Sequence, residues 1–263
     1  MHRLRAAAFN TLYYLILIGY MLLFPLLALL PVPVGLAAAH SMVRNQLRLS
    51  RLFGLKLEVR GREHLPRGGA LIASKHQSMW ETLALIVLFE RPAFVYKQEL
   101  GKIPLFGFYL RKFRMIPVDR KGGRSALRQV ANASREAIDA GHQVIIFPEG
   151  TRREPGAPPD YKVGVAMTYA EIERPVTPIA LNSGLYWSDH FWRGHTGTII
   201  VEVLPPIPPG LPARAFLAEI ERVIEARSDA LLLETALTPS PPPLPEGAAK
   251  RVAALRAAPA AAV

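Results

Sequence analysis

None of the 263 residues is cysteine, so disulfides, thiol catalysis and cysteine-ligated metal are excluded. Acid is scarce as well. Asp and Glu number 21 against 32 Lys and Arg, a formal charge of +11. That excess favours a polyanionic partner: membrane phosphate, a phosphorylated substrate, an acidic carrier or nucleic acid. The chain has no internal repeat, Walker loop or dinucleotide fingerprint, and no cluster with metal-ligand spacing. From Ala6 to Ala39 there is no charged side chain at all.

Within that uncharged block, Leu12 to Leu30 is almost wholly apolar and long enough to span a bilayer. Pro25, Pro31 and Pro33 interrupt it, and a weaker helical stretch follows to about Phe53. Three readings fit: a cleaved signal peptide, a single span, and a helical hairpin that enters and leaves one leaflet. The apolar region exceeds the usual signal-peptide length of about 7–15 residues. Arg44, Arg48, Arg51 and Lys56 follow the block and outnumber Arg3 and Arg5 before it. Either anchored reading then places the following domain on the cytoplasmic side of the cell membrane.

The remaining chain alternates strand and helix signals. Leu55–Arg60 alternates apolar and polar, as a half-buried strand does. Ala70–Ala73, Ala93–Tyr96, Met115–Val118, Val144–Phe147, Val176–Leu181 and Thr198–Val203 read as further strands. Ser125–Ala140 and Arg214 to about Leu233 have helical spacing, and the segment from Thr238 is Pro- and Ala-rich. The expectation is an α/β fold with a mixed, largely parallel central sheet flanked by helices, behind an N-terminal helical membrane anchor. Residues 1–53 would be the anchor (one or two helices), 54–237 the main domain and 238–263 a disordered tail.

Chemistry gathers at the strand ends. His76 and Glu81 lie five apart in the turn after Ala70–Ala73. On one regular helix they would point about 140° apart, but in a strand-to-helix turn they can meet. A carboxylate that orients imidazole makes a general base for a hydroxyl or water. Glu149, Gly150, Thr151 and Arg152 end the strand Val144–Phe147. Glycine there permits an unusual backbone and close ligand approach. Lys97 and Arg120 follow two further strands and could clamp a phosphate, Arg by two hydrogen bonds and Lys as a point charge. His64, His142, His190 and His195 have no acid at the same spacing, although Asp189 adjoins His190, and read as non-catalytic. Trp187, Phe191 and Trp192 could touch a membrane interface or cover the core.

These motifs resemble the glycerolipid acyltransferase family in four places between about Leu55 and Val203. His76, four residues and an acid match the first motif. Lys97-Gln98-Glu99-Leu100, the Pro104–Gly107 turn and Asp119-Arg120 match the second. Phe147-Pro148-Glu149-Gly150-Thr151-Arg152 is the third, and Val176-Thr177-Pro178-Ile179 resembles the fourth. Two departures stand out: Glu81 where the family has Asp, and Arg153 where it usually has Ser.

The resemblance implies acyl transfer from a thioester to a lysolipid hydroxyl, with His76 as base and Glu81 as its partner. Lys97, Arg120, Glu149, Gly150, Thr151 and Arg152 would form the acceptor site, and backbone amides near Gly150 would stabilise the oxyanion. The favoured acceptor is 1-acyl-glycerol-3-phosphate, giving phosphatidic acid. Another lysolipid, such as lyso-ornithine lipid, is the alternative, and a non-enzymatic membrane-binding protein is the reading of a different class. Acyl-CoA or acyl carrier protein would be the co-substrate, with membrane lipids as partners and no cofactor, metal or nucleic acid.

Overall fold

The computed structural model describes residues 2–28, 31–187 and 195–257. Asp189, His190, Phe191 and Trp192 lie outside the described residues, as does the end of the chain from 258.

The apolar runs become strands because they are buried on both faces. β2 (Ala70–Ser74), β5 (Gln143–Ile146) and β6 (Val176–Leu181) are buried at every position. Such continuous burial is what a parallel sheet between two helical layers requires. With β1 (Leu55–Arg60), β3 (Pro92–Lys97), β4 (Ile116–Val118) and β7 (Gly197–Val203) they form one sheet in the order β1-β7-β6-β2-β5-β3-β4. Every neighbouring pair is parallel except β6 and β7.

Alternate residues feed two cores. Ile72, Ile145 and Ile179 pack on one face with Trp80 and Leu85 of α3 (Trp80–Leu88). Leu71, Ala73, Val144 and Ile146 pack on the other. There they meet α5 (Gly123–Asp139), α6 (Val163–Ile172) and the first half of α7 (Ala213–Ala236). A short helix, α4 (Phe106–Lys112), joins β3 to β4.

The N-terminal block forms two helices, α1 (His2–Ala28) and α2 (Val32–Leu52). They are not detached from the rest. Phe9 and Tyr13 of α1 meet the Trp187 ring at 5.3 and 5.1 Å between centroids, and Gln46 of α2 donates to the Tyr13 carbonyl. Trp187 therefore covers the core. On the outer side of α1, Leu12, Leu15, Ile18 and Leu22 form an exposed apolar stripe. Among the described residues no helix is long and apolar enough to cross a membrane.

The expected disordered tail is corrected for part of its length. Glu246–Ala257 is a helix, α8, whose Ala248 and Val252 are buried in the core beside Leu232 of α7. Alanine is the strongest helix former, and two apolar contacts on α7 dock the helix that propensity alone leaves marginal. The Pro-rich stretch before it connects α8 to α7.

Candidate active site

A parallel sheet puts successive carboxyl ends on one edge, where open α/β folds place their ligands. The register shows which side chains that edge brings together. Ala73 of β2 is opposite Ile146 of β5, so His76 and the Phe147–Arg152 turn leave neighbouring strands. The His76 ring stacks on Phe147, 3.9 Å between centroids and 15° from parallel. Beyond the turn, the Arg153 amide donates to the His76 carbonyl at 2.9 Å. Phe94 of β3 is opposite Ile145, and Lys97 is opposite Val118 of β4. Lys97 and Arg120 thus end the next two strands, roughly 5 and 10 Å further along the edge at the usual strand spacing. Both are exposed, as are Thr151 and Arg152, and Lys97 lies 3.6 Å from Glu99.

Glu81 is wholly buried at the start of α3. Its Oε1 meets His76 Nδ1 at 2.9 Å and accepts the backbone amides of Gln77 and Ser78, each at 2.7 Å. Oε2 accepts the Ser78 and Ser183 hydroxyls, each at 2.6 Å. The turn wraps around the longer Glu side chain and satisfies it completely. The Ser78 hydroxyl also accepts the Trp80 amide at the start of α3. A carboxylate only accepts, so Nδ1 of His76 donates to it, and in the neutral ring Nε2 carries the lone pair.

Burial by itself would raise the Glu81 carboxyl. The His76 hydrogen bond and charge, with the two serine hydroxyls, outweigh it, and the group lies below its ordinary value of 4.5. The unfolded chain then binds the proton more tightly than the folded one. The stability Glu81 contributes is present above the ordinary carboxylate range and is lost as pH falls through the depressed folded value. Urea midpoints measured down the acid limb should therefore fall less steeply for Glu81→Gln than for the parent.

Beside this pair lies a second group that motif reading missed. Lys75 is buried, and its ammonium reaches Glu149 Oε1 at 3.0 Å and Glu225 Oε1 of α7 at 2.7 Å. Tyr161 donates to the same Glu225 oxygen at 2.8 Å. Glu149, expected among the acceptor-binding groups, is 1% exposed. It holds the turn to Lys75. Burial pushes its carboxyl up, and the opposing pull of Lys75 does not fully offset this. The other oxygen, Oε2, is buried without a hydrogen-bond partner. Arg153, the departure after Thr151-Arg152, lies 4.0 Å from Glu149 and donates to the Pro158 carbonyl.

Gly150 has φ +66, which a side chain would strain. Its amide donates to the Phe147 carbonyl at 2.9 Å, closing the turn. That amide is committed and is not an oxyanion donor. Ser183 also escaped sequence reading. Its only signal is position: it follows β6, whose Ile179 is opposite Ser74 of β2.

Three comparisons relate the chain to known proteins. Residues 56–182 match the family model described as Acyltransferase. The chain is 38% identical over 173 residues to the 1-acyl-sn-glycerol-3-phosphate acyltransferase of Pseudomonas aeruginosa, covering 66% of this chain and 67% of that protein. It is 27% identical over 194 residues to human 1-acyl-sn-glycerol-3-phosphate acyltransferase alpha, covering 69% and 68%. Its fold resembles the crystal structure of the 1-acyl-sn-glycerophosphate (LPA) acyltransferase PlsC from Thermotoga maritima. The TM-score is 0.69 at 21% identity, over 88% of this chain and 99% of that one.

Proposed function

The chain belongs to the glycerolipid acyltransferase family, and on that footing we propose that it acylates the free hydroxyl of 1-acyl-glycerol-3-phosphate to give phosphatidic acid. The observation that carries this reading is the His76–Glu81 pair, a half-buried imidazole on a wholly buried carboxylate, held at the carboxyl edge of the sheet against the Phe147–Arg152 turn.

In this reading His76 Nε2 takes the proton of the acceptor hydroxyl as its oxygen attacks the thioester carbonyl. Glu81 holds the ring and stabilises the imidazolium. Collapse of the tetrahedral intermediate breaks the C–S bond, and His76 returns the proton to the departing thiolate. No acyl-enzyme is required, which suits a Ser78 hydroxyl already committed to Glu81 and the Trp80 amide. Arg120 and Arg152, with Lys97, receive the acceptor phosphate. The donor is an acidic thioester, acyl-CoA or acyl carrier protein, for which the +11 charge is suited.

The α1–α2 hairpin is the proposed seat on the cell membrane, supported by the exposed stripe Leu12, Leu15, Ile18 and Leu22. The basic residues after the block favour the cytoplasmic side for the catalytic domain.

A labelled acyl thioester offered with a panel of lysolipids tests the reaction. Each of the two donor types is run separately. Turnover is expected on 1-acyl-glycerol-3-phosphate. Turnover confined to a phosphate-free lysolipid would keep the chemistry and remove the phosphate role from Arg120 and Arg152.

A further inference from the structure

Between β3 and β4 the chain makes a knot. Gln98–Lys102 is a single 3-10 turn, and α4 doubles back onto it. A Cβ at Gly107 would lie 2.0 Å from the Gly101 carbonyl oxygen, so the two backbones touch and position 107 admits no side chain. Between them Leu105 holds φ 62 and ψ −55, and the Phe106 amide donates to the Pro104 carbonyl at 2.6 Å. This is a γ-turn of the positive-φ kind, which is rare and strained for a residue with a Cβ.

Strain of this sort persists only where the surroundings enforce it, and it calls for a functional reason. Burial of Leu105 does not supply one. Leu100, Ile103, Leu105 and Phe108 are all 38–46% exposed. Four large apolar side chains therefore stand in solvent within nine residues, on a backbone too tightly packed to withdraw them. Basic residues flank them along the chain. From 97 to 114 the chain carries Lys97, Lys102, Arg111, Lys112 and Arg114 against Glu99 alone, five cations to one acid.

The knot also adjoins the hairpin. Gly35 of α2 packs against the Phe113 ring that follows α4, where a Cβ would be 3.3 Å away. The first turn of α2, with exposed Val32 and Val34, thus lies beside the end of α4. On its other side the knot begins at Lys97, the end of β3 and the edge of the candidate site.

We propose that the Leu100–Phe108 knot is a second bilayer-contacting element, separate from the α1–α2 hairpin, that sets its apolar side chains into an anionic phospholipid surface at the mouth of the site. The proposal rests on the reading of the substrate as a membrane lipid. Exposed apolar side chains in a segment rich in cations are the pattern that binds such a surface. A rigid display loses little side-chain and loop freedom on contact.

Absence of cysteine makes the test direct. Ile103→Cys in the full chain takes one environment-sensitive fluorophore, and Ala218→Cys on α7 serves as the reference. Vesicles of phosphatidylcholine with phosphatidylglycerol should shift the label at 103 to the blue and shield it at least fivefold from an aqueous quencher, with no change at 218. A label at 103 that stays as accessible as the one at 218 overturns the proposal. This readout needs no turnover, so it stands or falls apart from the assigned reaction. A second arm uses the Ile103→Ser/Phe108→Ser double variant. Turnover on vesicle-borne acceptor should fall about tenfold, while turnover on a short-chain acceptor below its micelle concentration stays within twofold. Equal loss on both acceptors would make the pair part of the site rather than a membrane contact, and no loss on either would remove the knot from lipid capture; both outcomes overturn the proposal.

Discussion

Glu81→Gln should lower turnover by on the order of 10² to 10⁴-fold while leaving the protein folded. The geometry makes this substitution unusually clean. Three N–H groups converge on Oε1, from His76, Gln77 and Ser78. A glutamine must place its carbonyl oxygen there, since an NH₂ would face three donors. Its NH₂ then falls where Oε2 was, against the Ser78 and Ser183 hydroxyls. Hydroxyls can turn to accept, so the network survives without its charge. What disappears is the anion that stabilises imidazolium as the acceptor oxygen loses its proton. His76→Ala should bring turnover to background, and the double variant should add little, because residues acting as a unit are not additive. Near-normal turnover in Glu81→Gln, measured with labelled thioester under saturating acceptor, would remove the pair from the mechanism.

That pair was legible because its members lie five apart in the sequence, on a turn between two apolar runs. The third motif was legible for the same reason, as six consecutive residues from Phe147 to Arg152. Strands such as Val144–Ile146 announced a sheet buried on both faces by their unbroken apolarity. The groups that escaped are joined only through the fold. Lys75 reaches Glu149 across 74 residues and Glu225 across 150, and Ser183 reaches Glu81 across 102. A lone Lys before a His reads as solvated charge until the register sets β2 beside β5. The burial of Glu149 is hidden for a related reason: a charged residue in a turn is normally solvated, and only the buried ammonium beside it makes 1% exposure tolerable. The Gly150 amide could not be assigned from sequence, since one hydrogen bond inside the turn decides whether it is free. At the other end of the chain, Ala- and Pro-rich composition hid α8, whose burial depends on Leu232 of α7 and whose Arg251 pairs with Asp229.

Lys75→Met should be the most destabilising single change near the site, by about 3–5 kcal/mol in urea unfolding, because it strands carboxylates inside the protein. Methionine matches the stem in length and apolar character, so packing is largely kept and the loss reports charge. Glu149 is the group most exposed to the change. Its Oε1 loses the ammonium at 3.0 Å, its Oε2 has no hydrogen-bond partner, and burial already raises its carboxyl. Glu225 keeps the Tyr161 hydroxyl at 2.8 Å and is partly exposed, so it suffers less. The sign with pH follows. Glu149 binds its proton more readily folded than unfolded, so the deficit is greatest near neutral pH and shrinks as pH falls through the raised folded value. Adding Glu149→Gln to Lys75→Met should recover part of the loss at neutral pH and remove most of its pH dependence. Activity separates the network's two tasks. Lys75 precedes His76, and Glu149 is three residues before Arg152, so a loosened turn should raise KM for the lysolipid several-fold in the stabilised double variant. An unchanged urea midpoint in Lys75→Met would show that the Lys75–Glu149–Glu225 triad is not under the electrostatic load its geometry implies. An unchanged KM in the double variant would show that the turn keeps its place without it.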